Sequence, residues 1–69
     1  MNKNIQIPFN KLAAPARRAL KNAGYENLKQ LAKMRESDVA TLHGIGPSAL
    51  DVLRRELAAN NLSFKNYSE

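Results

Sequence analysis

The chain has 69 residues, 43% of them hydrophobic and 25% charged, which is enough apolar material for one folded domain and too little length for two. It has no cysteine and a single histidine. Disulfides and thiolate metal sites are excluded, His43 lacks the ligand partners that zinc needs, and no cofactor is expected. Eleven Lys and Arg against six Asp and Glu give a formal charge of +5, which favours an anionic partner, either nucleic acid or the acidic face of a protein.

The charge is unevenly spread. Residues 1–34 hold Lys3, Lys11, Arg17, Arg18, Lys21, Lys29 and Lys33 against the single acid Glu26, whereas residues 35–69 hold four bases and five acids. The positive field therefore belongs to the first half. No run of about 18 apolar residues occurs, and Met1 to Pro8 lacks the apolar stretch of a signal peptide. A cytoplasmic protein with no membrane contact is expected, acting as a monomer. Asn61-Leu62-Ser63 and Asn66-Tyr67-Ser68 fit the glycosylation pattern, which has no chemistry to act on without secretion.

Along the chain, Ile5, Ile7 and Phe9 alternate with Gln6 and Pro8, so residues 1–10 are expected to be extended and to lay their apolar side chains on the core. The domain proper is expected over residues 11–64. Ala16, Ala19, Leu20 and Ala23 fall at i, i+3, i+4 and i+7, one buried helical face, with Pro15 suited to the first turn and Gly24 to the position just past the end. The opposite face carries Arg17, Arg18, Lys21 and Asn22, where the basic half becomes a coherent surface. Asn27 can cap a short second helix with Leu28, Leu31 and Ala32 inward and Met34 closing the turn.

A third helix is expected from Glu36 to Leu42, with Val39, Ala40 and Leu42 inward and Glu36 and Asp38 near its positive end. Gly44-Ile45-Gly46-Pro47 then punctuates the chain, two glycines permitting backbone angles that other residues avoid and Pro47 opening a new helix. That helix should run to about Asn60 on a stripe of Leu50, Leu53 and Leu57, with Ala49 at its edge. Asn60 or Asn61 can end it in the left-handed conformation. Leu62 and Phe64 should fold back, and residues 65–69 should fray.

The segment Leu42 to Leu50 carries the chemistry. Bare glycine backbone lets a phosphate approach the N–H groups of Gly44, Gly46, Ser48 and Ala49, while the start of the last helix turns its unpaired donors and partial positive charge to the same spot. Ile45 would plug the turn into the core. Such donors read no bases, so the product is backbone binding without sequence preference.

This nine-residue segment resembles the helix-hairpin-helix motif of DNA-binding proteins. From about Leu12 to Phe64, the order of Arg-rich first helix, Ala-Gly turn, two short helices, Gly-Ile-Gly hairpin, long helix and closing Leu-Ser-hydrophobic resembles the C-terminal domain of the bacterial RNA polymerase α subunit. The resemblance implies an all-α fold, a compact, SAM-domain-like bundle of four to five short helices with an extended N-terminal segment. It also implies binding to duplex DNA in the minor groove, at promoters, and contact with transcription proteins. The positions that match that family's DNA contacts are Pro15, Arg18, Ala19, Gly46, Ser48, Ala49 and Val52. Pro15 stands where the family has its leading arginine and Ser48 where it has a lysine.

The expected DNA-binding set is therefore Arg17, Arg18, Lys21, Gly44, Gly46, Ser48 and Ala49, with no catalytic and no metal residues. A second reading keeps the fold as an adaptor whose basic first helix faces an acidic protein. Catalysis by His43 and Ser48 is disfavoured, because no third group orients a base. His43 reads as a hairpin surface residue. Arg54 and Arg55 read as a solvated face paired with Asp51 and Glu56. Tyr25 and Phe9 read as core or half-buried side chains, which counts against single-strand stacking.

Overall fold

Residues 5–65 are described by the computed structural model. They form a 3-10 turn, Phe9–Lys11, and four helices: α1 Ala14–Asn22, α2 Leu28–Ala32, α3 Glu36–Ala40 and α4 Pro47–Ala59, with no strand among the described residues. The all-helical class expected from the sequence is thus the class observed. The Cα radius of gyration is 11.2 Å, close to the roughly 11 Å of a compact chain this long.

Local chemistry accounts for most helix ends. Pro15 lies in the first turn of α1, where its missing N–H costs nothing. At the other end Gly24 has φ +87°. Its N–H donates to the Lys21 carbonyl at 3.0 Å and the Tyr25 N–H to that of Leu20 at 2.9 Å, the paired bonds that close a helix on a left-handed residue. Asn61, with φ +61°, ends α4 in the same way through Asn61 N–H to Ala58 and Leu62 N–H to Leu57, at 3.0 and 2.8 Å. At the start of α2 the Asn27 side chain accepts from the Gln30 N–H, and Gln30 Oε1 accepts from the Asn27 N–H, both at 3.0 Å. This reciprocal cap holds together a helix of only five residues.

Leu20, Leu28, Leu31, Val39, Leu53 and Leu57 are fully buried, with Ile7, Leu12 and Phe64 close behind, and no polar or charged described residue is buried. The core is therefore purely apolar. Two inward assignments, Ala23 and Ala40, need correction, and two hold in part, since Leu42 and Leu50 are half-buried and pack against the core. Ala23 is exposed, because α1 ends at Asn22 and Ala23 sits on the turn leading away. Ala40 is exposed and Leu42 half-buried beyond the helix end; a five-residue helix makes under two turns and presents one inward side chain, Val39. On α4 the stripe is Ala49, Leu53 and Leu57, while Leu50 is half-buried at the edge. The small Ala49 sits where the α4 start closes on α1, and Leu50 is turned about 100° away.

The ends of the described chain differ from the simple extended and frayed segments expected. Only Ile7 of the alternating set is buried; Ile5 is 37% exposed, and Phe9 enters the 3-10 turn. What holds the segment is one antiparallel bridge between Gln6 and Asn27, in which the Ile7 N–H donates to Glu26 at 3.2 Å and the Leu28 N–H to Ile5 at 2.8 Å. At the other end the Lys65 N–H donates to the Met34 carbonyl at 2.8 Å, so Lys65 is anchored. Residues 1–4 and 66–69 lie outside the described residues.

Candidate nucleic-acid interface

Two helices begin without a side-chain cap. Ala13 and Gly46, the residues flanking α1 and α4, supply no capping hydrogen bond, each helix has a proline in its first turn, and neither has an acid there. The first N–H donors of both helices are therefore left open, and the partial positive charge of each N-terminus is unopposed locally. Both helices exceed two turns, long enough for the dipole to count.

The hairpin brings these two ends together. Gly44 has φ +102°, and a Cβ placed there would lie 2.6 Å from the Pro15 carbonyl oxygen and 3.5 Å from the Ala19 methyl. No side chain fits between hairpin and helix; backbone meets backbone. Gly46 differs: its φ is −117° and nothing lies within 4 Å of a Cβ added there. The expectation that both glycines serve special backbone angles thus holds for Gly44 alone.

On one side of this clasp lies a cleft of about 440 Å³, with Leu12, Ala13, Pro15 and Ala16 on one wall and Gly46, Ser48, Ala49 and Val52 on the other. On the other side lies a hollow bounded by Arg18, Asn22 and His43. Gly44 and Pro15 border both. Arg18, Gly44, Gly46, Ser48 and Ala49, all expected from the sequence, therefore share one continuous surface. His43 and Ser48 line different sides of the clasp.

Arg17 and Lys21 are not part of that surface. The Arg17 Nη1 donates to the Leu12 carbonyl at 2.7 Å, and the Lys21 ammonium stands 5.1 Å from the centre of the Phe9 ring, a cation–π distance. Both lean toward the 3-10 turn, and only Arg18 of the three leans to the hairpin. The remaining cations divide similarly. Lys11 pairs with Glu56 at 3.2 Å, Arg55 with Asp51 at 3.2 Å, and Arg54 with Asp51 at 3.5 Å and with Glu36. Glu56 thus serves Lys11 and not its own helix. Among the described residues Arg18, Lys29, Lys33 and Lys65 have neither an ion pair nor a hydrogen bond from their charged groups.

The resemblance implied that the starts of the first and last helices act together; that both start uncapped was not singled out, although its signal is in the sequence: each helix opens on a proline with Ala or Gly where Ser, Thr, Asp or Asn would cap. Among the described residues no group of three His, Asp or Glu could hold a metal, and no helix is long and apolar enough to cross a membrane.

No model of a known protein family matches the chain, and no curated protein is detectably similar to it. The functional reading stands on its residues and their geometry.

Proposed function

We propose that this protein is a non-enzymatic helix-hairpin-helix module of bacterial type that binds the phosphate backbone of duplex DNA, largely without regard to sequence, in transcription. The observation that carries the reading is the clasp of Gly44 on Pro15, which sets the open N–H donors of α1 and α4 on one cleft with Arg18 beside it. Main-chain donors and helix ends suit phosphate oxygens. They carry no base information, and the minor-groove geometry implied by the resemblance would place them against sugar and phosphate.

An adaptor function is the second reading, favoured by a different feature. Ala40, Ile45, Pro47 and Leu50 line an apolar hollow on another face of the hairpin, bordered by Arg54, where an apolar side chain of a protein partner would fit.

Titration of the labelled protein with a random duplex of about 20 base pairs at low salt separates the two. Localised amide shifts at Arg18, Gly44, Gly46, Ser48 and Ala49 are the expected result. Silence from folded protein near millimolar concentration in 50 mM salt would end the DNA reading and leave the adaptor.

A further inference from the structure

The hollow beyond the clasp is unused by the hairpin donors. Arg18 and Asn22 lie one turn apart on α1, and His43 faces them from the residue before Gly44; Pro15 and Ala19 form the floor. All three polar side chains are exposed. Arg18 has no partner among the described residues, and the same is true of the Asn22 amide and the His43 ring. A guanidinium, a carboxamide and an imidazole so placed can all donate hydrogen bonds, and no carboxylate borders the hollow to oppose an anion there. The groove lined by Pro15 and Ser48 has Lys11 in its lining, but that ammonium is paired with Glu56, so the unpaired charge nearest a bound strand is Arg18, at this flank.

We propose that Arg18, Asn22 and His43 form a second phosphate subsite, which takes the phosphodiester next to the one held by the Gly46, Ser48 and Ala49 backbone. The inference rests on the DNA reading above and deepens it. Asn22, which helical patterning put on the exposed face of α1 but not among the DNA contacts, and His43, read as a hairpin surface residue, join the interface as binding residues. Because an amide carries no charge, Asn22 contributes hydrogen bonding without counterion release, whereas Arg18 contributes both.

The test compares Asn22→Ala, His43→Ala and Arg18→Ala with the native chain, binding A·T-rich and G·C-rich 20-mer duplexes across a salt series at pH 8. All three positions are exposed, and unchanged melting of each variant is checked first. Asn22→Ala and His43→Ala should each weaken binding about two- to tenfold and equally on both duplexes. Asn22→Ala should leave the slope of log K against log salt unchanged. Arg18→Ala should lower that slope by about one. Side-chain resonances of Asn22 and His43 should move with those of the Ser48 and Ala49 amides during titration. Movement of Ser48 and Ala49 with Asn22 and His43 silent overturns the subsite and leaves the DNA reading intact. A loss confined to one duplex overturns phosphate as the occupant, since base edges would then be read. No binding by the native chain overturns both.

Discussion

Gly44 and Gly46 look alike in sequence and have different physical tasks. Gly44→Ala must adopt a positive φ and also push a methyl into the Pro15 carbonyl, so it should lose more than about 1 kcal/mol of stability. Gly46→Ala, with ordinary φ and open space, should lose about 1 kcal/mol or less, the cost of a poorer helix start. Equal melting temperatures for the two variants would contradict this division. Leu53 and Leu50 form a similar pair. Leu53→Ala removes a fully buried side chain and should cost about 2 to 5 kcal/mol, enough to unfold much of a domain this small. Leu50→Ala, at a half-buried edge, should cost less than half as much by chemical denaturation. Neither distinction was legible from the chain alone, because both depend on where α1 lies. Periodicity places Ala49 and Leu50 side by side on the inner face of a helix, and only the closure onto α1 selects the smaller.

At the scale of elements, what was legible is what neighbouring residues determine. Pro15 and Gly24 around α1, Asn27 before α2, Pro47 at the start of α4 and Asn61 after it act through the backbone within a few residues, and each was readable for that reason. The short α3 was overextended to Leu42 because Val39, Ala40 and Leu42 are apolar, and no local signal tells a turn from another half-turn of helix. The cap of α2 is worth testing directly. Asn27→Ala removes the acceptor for the Gln30 N–H and should cost about 1 kcal/mol. The helix has five residues and no length to spare, so the loss should appear as lowered amide protection over Leu28 to Ala32 as well as in melting. Unchanged protection there would mean that packing of Leu28 and Leu31 alone sustains α2.

Over the whole molecule the positive charge is less concentrated than its order in the sequence implies. The first helix was expected to present Arg17, Arg18 and Lys21 together, but residues five and twelve positions upstream claim two of them: the Leu12 carbonyl takes Arg17 and the Phe9 ring takes Lys21. Helical patterning shows which side chains point away from the core. It does not show which irregular segment lies alongside, and the 3-10 turn was read as extended chain. With only a few cations and donors at the groove, about two to four phosphates can be engaged, so log K should fall against log salt with a slope of about −2 to −4. Arg17→Ala should act chiefly on stability, since it frees the Leu12 carbonyl, and shift that slope far less than Arg18→Ala does. A slope loss at Arg17 equal to that at Arg18 would restore the undivided basic face.

The backbone contact between Gly44 and Pro15 also sets how the molecule breathes. The first hydrogen-bonded amides of the two helices are Arg17, donating to Ala13, and Leu50, donating to Gly46. They belong to turns 29 residues apart in sequence, from Pro15 to Gly44. No flexible side chain cushions the contact, so neither turn can open far without releasing the other. The amides of Arg17 and Leu50 should therefore exchange their hydrogens with solvent as one cooperative unit, and a methyl at residue 44 should speed both together.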